Sequence, residues 1–337
     1  MKILVTGAAG FIGYRTTQRL SEMGHDVYAI DNLNDYYDVK LKLARLKEIG
    51  IEPFCQYVVQ SSKFANLRFK GADICDAVVM ERIFRDQKFD CVINLAAQAG
   101  VRYSIDHPET YITTNVVGFY NILDLCRKYD VKHLVYASSS SVYGDRPDGG
   151  MLFESDQCET PKSLYAATKK TDELLAYSYS EIYGLLTTGL RFFTVYGEYG
   201  RPDMSPMIFA NAIEKGEPIK VFNNGQMYRD FTYIDDVVGA IVKTIDRPSK
   251  DNVPYRIYNV GNANPILLTD FIKTLEQIMG KTANKIMMPM QKGDVTSTNS
   301  STYKICYDLG WTSHTKIETG LRKFVEWFRS EKNPFAG

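Results

Sequence analysis

At 337 residues, 45% hydrophobic and 24% charged, the chain can bury a sizeable core in one large or two modest domains. Forty basic and forty acidic residues cancel, which leaves no electrostatic footprint for nucleic acid or an anionic membrane. No stretch reaches the ~20 apolar residues of a membrane span, and the N-terminal apolar run is far too short for a signal peptide, so a cytoplasmic protein is expected.

The six cysteines, Cys55, Cys75, Cys91, Cys126, Cys158 and Cys306, form no C-x-x-C pair. That argues for reduced thiols, mostly small core residues, and against a disulfide frame or zinc site. His25, His107, His133 and His314 are equally dispersed and mark no metal.

Lys2 to Thr6 reads as a short buried strand, followed at once by Gly7-Ala8-Ala9-Gly10-Phe11-Ile12-Gly13 and a helical pattern to Met23. Glycines in this setting let the backbone turn tightly and let a pyrophosphate approach a helix N-terminus, whose free amides favour an anion. A second strand, Asp26 to Ile30, ends at Asp31. An acidic residue roughly 20 positions after the glycines is placed to bind an adenosine ribose, and it disfavours a 2′-phosphate, so NAD is expected over NADP.

A helix from about Asp38 to Ile49 leads into a polar loop, and Leu67 to Lys70 forms a third strand. Asp73 and Ile74 follow it, where a carboxylate beside an apolar side chain can hold adenine or simply make a turn. Asp76 to Asp86 reads as a helix and Cys91 to Asn94 as a fourth strand. The loop Asn94 to Ser104 is built of small residues suited to close contact with a cofactor; Arg102, its only charge, is either a ligand for an anionic group or a solvated surface arginine. Thr110 to Lys128 is a long helical pattern carrying Asn115, and His133 to Ala137 is the fifth strand.

Next come A-S-S-S-S-V-Y-G at a strand end and S-L-Y-A-A-T-K-K opening a helix. Tyr165 and Lys169, four apart, share a helix face with roots about 5–6 Å apart. An ammonium beneath a phenol favours the phenolate and lowers a tyrosine pKa from about 10, which suits a base acting on an alcohol. The same spacing recurs at Tyr36 and Lys40, so an ordinary amphipathic helix is the alternative that the rest of the chain must decide.

That helix runs to about Tyr183, and Leu186 to Leu190 is the sixth strand. Alternating strands and helices predict a Rossmann-type, doubly wound parallel sheet in an α/β fold, with ligands beyond the strands' carboxyl ends. The glycine loop, Asp31, Asp73, the Asn94 loop and the serine run all fall at that edge. The second half reads as a smaller α+β lobe closing over it. The expected division is residues 1–190, plus about 230–260, for the NAD-binding part, and about 191–229 with 261–337 for the lobe.

Taken together these motifs resemble the extended short-chain dehydrogenase/reductase family. Within it, AAQAGVRYS, SSSSVYG, SLYAATKK, GLRFFTVYGEYGRPDM, RDFTYIDD and KGDV are similar to the UDP-glucuronate 4-epimerases. The resemblance implies that Gly7, Gly10, Phe11, Ile12, Gly13, Asp31 and Asn32 bind NAD. It places Asp73 and Ile74 against adenine, with Leu95, Ala96, Ala97 and Asn115 completing the cofactor site. Tyr165 would be the base, Lys169 its partner, bonded also to the nicotinamide ribose, and Ser139 the assisting hydroxyl. Arg229 resembles the pyrophosphate-binding arginine and Asp294 the acid near the uridine ribose; Thr194 and Arg201 fall near the sugar and its phosphates, and Val221 with the substrate.

The implied reaction is oxidation at carbon 4 of a UDP-sugar, turning of the 4-keto sugar and reduction from its other face. A uronic acid so oxidised is a β-keto acid that can lose carbon dioxide. Related decarboxylases and dehydratases carry an acidic residue where this chain has Ser140 and Ser141, whose hydroxyls are expected to hold the carboxylate or to cap the strand end. The rivals are a 4-epimerase of neutral UDP-glucose or UDP-GlcNAc, a decarboxylase or dehydratase, and a non-catalytic nucleotide-binding protein on the same fold. A homodimer through the helices Thr110 to Lys128 and Tyr165 to Tyr183 is also implied.

Overall fold

Apolar runs separated by helices assemble into one eight-stranded sheet. Its strands are β1 (Lys2–Thr6), β2 (Asp26–Asp31), β3 (Val59–Gln60), β4 (Leu67–Gly71), β5 (Cys91–Asn94), β6 (His133–Ser139), β7 (Thr187–Phe192) and β8 (Tyr255–Val260). The spatial order is β8-β7-β6-β5-β1-β2-β4-β3. All pairings are parallel except that of β3 with β4. This computed structural model describes every residue except 53–56, 147, 246–251, 292 and 337, so Cys55 and the Lys292 of the K-G-D-V phrase lie outside the described residues.

A sheet covered by helices on both faces needs apolar residues on both sides of each strand. In β1, Ile3 and Val5 join a core with Phe11, Leu41 and Leu46, while Leu4 joins the opposite core with Phe84, Phe119 and Leu123. The helices begin where short polar side chains satisfy their free amides. Asp38 accepts from Lys40 N, Asp76 from Val79 N, and Ser163 from Ala166 N.

Two expectations change. The polar stretch before β4 contains the edge strand β3, too short to leave a period-two pattern. Thr110 to Lys128 is not one α-helix: a turn at Pro108–Tyr111 passes into a π-helical segment, Ile112–Gly118, before the α-helix Phe119–Lys128. The cysteines agree with the expectation: among the described residues Cys91, Cys126 and Cys158 are buried, Cys75 is half-buried and Cys306 exposed, all free thiols.

Beyond β7 the chain forms small paired strands, Thr194–Tyr196 with Phe231–Tyr233, Pro218–Val221 with Asn284–Met287, and Tyr228–Arg229 with Ile266–Leu267. Phe231 stacks on Phe271 at 4.3 Å, and the apolar core runs without a break from β1 to Trp327 and Phe328. Asp230 anchors the lobe: its buried carboxylate accepts from Ser300 Oγ, Ser300 N, Asn262 N and Ala263 N. Among the described residues no helix is long and apolar enough to cross a membrane.

Candidate active site

Strand order reverses between β1 and β5, which opens a crevice at their carboxyl ends. A cavity of about 340 Å³ occupies it, bounded by the glycine loop, the ends of β2, β4, β5 and β6, and the helix bearing Tyr165.

The glycine loop is built for close approach. Gly7 has φ +67°, and a Cβ on Gly13 would lie 1.9 Å from the Gly7 carbonyl oxygen. The helix Phe11–Glu22 that follows has neither a side-chain cap nor an acid in its first turn, so its leading amides are left for an anion at the cavity. A dinucleotide pyrophosphate fits this cradle.

Asp31 ends β2 buried, with Oδ2 accepting Ala9 N–H at 3.0 Å and Oδ1 accepting Leu33 N–H at 2.8 Å. It therefore closes the glycine loop as well as facing the cavity. At the next strand end Asp73 accepts from Asn32 Nδ2 at 2.9 Å and from Cys75 N at 2.8 Å. Asp73 makes the turn, and with Asn32 and Ile74 it lines the cavity.

At the opposite end stand Tyr165, Lys169, Ser139, Ser140, Ser141, Thr194 and Arg201. Lys169, 3% exposed, donates to the Ala137 carbonyl at 3.0 Å and to Asp172 Oδ2 at 3.1 Å, which leaves a third N–H for a ligand. Ser139 Oγ accepts from Ser141 N at 3.2 Å, so the hydroxyl that caps the strand end is that of Ser139 rather than of Ser140 or Ser141, while Ser138 Oγ donates to Glu173 Oε1 at 2.7 Å. The buried Glu173 takes two hydrogen bonds of 2.8 Å from Arg191, and these neighbours hold its carboxyl below the usual range against burial, which pushes it up. The serine run is thus fixed from behind.

Leu95, Ala96 and Ala97 line the cavity where β5 ends. Asn115 does not reach it. Buried in the π-helical segment, it binds both backbone groups of Gln98 and the hydroxyl of Thr168, and so clamps the strand-end loop to the Tyr165 helix. π-helical turns concentrate at such functional positions.

Arg102, Arg229 and Asp294 form a second cluster beside the cavity rather than in its wall. Arg102 binds Asp294 at 3.1 Å. The guanidinium of Arg229 donates to the carbonyls of Tyr228, Thr296 and Val295. Burial holds it below its ordinary pKa, with Asp294 and Asp145 opposing and Arg102 adding to the effect. Val101, which lines the cavity, connects this cluster to it. Val221 is a correction: it is fully buried, its carbonyl accepts Met288 N–H, and it belongs to the lobe's core.

Sequence reasoning missed Tyr36, Lys42 and Asp203. Tyr36 donates to Asp203 Oδ2 at 3.0 Å, and Asp203 also binds Arg201, so the loop after β2 is strapped to the lobe over the cavity. Lys42 reaches Asn34 Oδ1 at 2.8 Å and lies 3.9 Å from Asp31; burial lowers its pKa, opposed by Asp31. A signal existed in the helix Val39–Glu48, where Lys42 and Arg45 fall on the face that buries Leu41 and Leu46.

Residues 3–261 match the NAD dependent epimerase/dehydratase family. Protein CapI of Staphylococcus aureus is 44% identical, with 97% of this chain and 98% of that protein aligned. A probable UDP-glucuronate 4-epimerase of Rhizobium meliloti is 39% identical, with 97% of each chain aligned. Among solved structures, a UDP-glucuronic acid 4-epimerase of Bacillus cereus, in complex with UDP-glucuronic acid and NAD, superposes with a TM-score of 0.88 at 29% identity, over 98% of this chain and 99% of that one. The match spans the whole sheet and the helix of Tyr165, and this chain belongs to the NAD dependent epimerase/dehydratase family.

Proposed function

We propose that this protein is an NAD-dependent 4-epimerase that interconverts UDP-glucuronate and UDP-galacturonate. One observation carries the choice of a uronic acid. Among the described residues the only carboxylates lining the cavity, Asp31 and Asp73, stand at the end of the glycine loop and β4, while the sugar end presents Ser140, Ser141, Thr194 and Arg201. A charged sugar carboxylate there meets the serine and threonine hydroxyls, and no acid lines that end of the wall to drive its departure, the nearby Asp203 being paired with Arg201.

When bound, NAD supplies a hydride acceptor and donor at carbon 4 of the sugar. The chain supplies the rest. Gly7 to Gly13 and the amides of Phe11 and Ile12 hold the pyrophosphate, Asp31 and Asn32 the adenosine ribose, and Asp73 with Ile74 the adenine. Leu95, Ala96 and Ala97 pack against the cofactor, and Asn115 positions their loop. Tyr165 takes the proton from the 4-hydroxyl and returns it after the sugar has turned; the Lys169 ammonium steadies the negative phenolate oxygen that receives the proton, and Ser139 donates to the substrate's 4-oxygen. Ser140, Ser141 and Thr194 orient the carboxylate so that the bond to it stays out of line with the neighbouring carbonyl π-system. Arg201, Arg102 and Arg229 take the diphosphate side, and Asp294 the uridine ribose.

The discriminating experiment supplies UDP-glucuronate, UDP-glucose and UDP-GlcNAc separately and reads the products by NMR. UDP-galacturonate is expected from the first. Turnover of a neutral sugar alone would overturn the substrate assignment, and carbon dioxide as the main product would overturn the role of the serines.

We assign residues 1–190 with about 230–260 to the cofactor unit and the remainder to the substrate lobe, supported by β8 lying in the main sheet beside β7. Hydrogen exchange that coupled residues 191–229 to the main sheet instead would redraw that boundary. A homodimer is supported by the exposed Ile112, Val117 and Tyr120 together with Leu174 and Tyr177, apolar groups on two neighbouring helical stretches. Light scattering should give twice the chain mass, and Leu174→Glu should give the monomer; a monomeric unsubstituted protein would refute this surface. A cytoplasmic location accompanies the proposal, and recovery in the membrane fraction would contradict it.

A further inference from the structure

The pair Lys169 and Asp172 reads, three apart on a helix, as an ordinary solvated contact. Instead it is sealed: Asp172 is 1% exposed and outside the cavity wall, at the root of Lys169. Its Oδ2 accepts from Lys169 Nζ at 3.1 Å, while its Oδ1 is buried and makes no hydrogen bond among the described residues. A half-satisfied buried carboxylate is a poor device for stability, because desolvation rivals the attraction. It is a good device for adjusting the charge of the group it touches.

We propose that Asp172 is a positioning residue that holds Lys169 from outside the cavity and offsets part of its charge, setting the pH range in which Tyr165, beside Lys169, takes a proton from the substrate. The inference rests on the epimerase reading and assigns a role to a residue that touches neither substrate nor cofactor. The geometry explains the effect. Of the three N–H groups on Lys169, Asp172 and the Ala137 carbonyl fix two, so the third is aimed and the ammonium cannot swing away.

A negative charge beside the ammonium subtracts from the positive potential at Tyr165, and a proton on Asp172 restores it. Burial raises the Asp172 carboxyl to about 7, with Lys169 opposing. The offset therefore weakens on the acid side of neutrality, where the pair most needs its positive charge.

The groups around Asp172 leave it this role. On its own helix Glu173 is committed to Arg191, Lys170 and Ser138. On β6 the buried Tyr136 hydroxyl interacts with Tyr255 of β8. The π-helical segment packed alongside, Ile112–Gly118, carries no titratable side chain. The helix after it offers Asp124, which is bound to Arg127 and the Tyr179 hydroxyl.

The test compares the NAD-loaded protein with Asp172→Asn, which keeps the shape and removes the charge. The phenolate difference spectrum, taken against a Tyr165→Phe background so that one of 23 tyrosines is counted, should have its midpoint lowered by about one pH unit. The acid limb of kcat/KM should move the same way, and Asp172→Glu should return both. A phenolate midpoint in Asp172→Asn that coincides with the unsubstituted protein's overturns the proposal. Asp172→Ser, smaller and uncharged, is read in the same way should the asparagine variant not fold. The spectrum needs no turnover, so a failure to epimerise UDP-glucuronate overturns the proposed function, while an unmoved midpoint overturns only this inference.

Discussion

Replacing Tyr165 with phenylalanine should lower kcat for UDP-glucuronate by about 10²–10⁴-fold, the usual weight of a positioned proton-transfer group. The change removes one oxygen and little else. The Tyr165 hydroxyl makes no hydrogen bond among the described residues, and the ring stays edge-on to Tyr111 at 6.1 Å between centroids. The helix keeps its Ser163 cap and its end at Gly184. Lys169 keeps Ala137 and Asp172, so the cofactor should still co-purify and the melting temperature should hold within experimental scatter. A loss confined to kcat, with KM little changed, is the signature of an interaction that matters only as the proton moves. Turnover within a few-fold of the unsubstituted protein would remove Tyr165 from the mechanism and leave the cavity a binding site.

The sheet was readable because its strands are short apolar runs stopped by glycine or a polar residue, with helices between them. β1 and β5 have the expected ends, β2, β4, β6 and β7 differ by one or two residues at an end, and β3 and β8 were not expected as strands. The cofactor edge was readable for a related reason: in a doubly wound sheet every strand end arrives at one edge, so Gly7, Asp31, Asp73, Asn94 and Ser139 could be placed together before any contact between them was known. What stayed hidden depends on contacts far apart in the chain. Arg102 finds Asp294 at a separation of 192 residues, and Tyr36 finds Asp203 at 167. The π-helical turn was invisible because one widened turn hardly alters a helical pattern. Asp172 was hidden for the opposite reason, since burial alone separates a functional pair from the surface pair that its spacing suggests.

The second large effect is at Gly13. In Gly13→Ala the new methyl would meet the Gly7 carbonyl oxygen at 1.9 Å, its carbon at 2.7 Å and Ala8 Cα at 3.1 Å, all main-chain atoms that cannot rotate aside. Gly7 cannot yield either, because it already lies against the backbone of Leu95 and Ala96 and holds φ +67°. The loop must open, which breaks the Ala9 N–H bond to Asp31 and turns the leading amides of the helix away from the pyrophosphate. Overpacking of this kind costs ~1–3 kcal/mol of stability. Losing the anion cradle should weaken NAD binding by at least about 100-fold, close to 3 kcal/mol. The measurements are the NAD released from the purified, heat-denatured protein and its thermal melting point. Gly24→Ala is the control, because Gly24 also has positive φ, at +83°, but nothing lies within 4 Å of a Cβ there. It should cost ~1 kcal/mol in backbone strain and leave NAD in place. Gly13→Ala retaining a full complement of NAD would mean that the cofactor does not lie across the glycine loop, and the orientation assigned to Tyr165 at the far end of the cavity would fall with it.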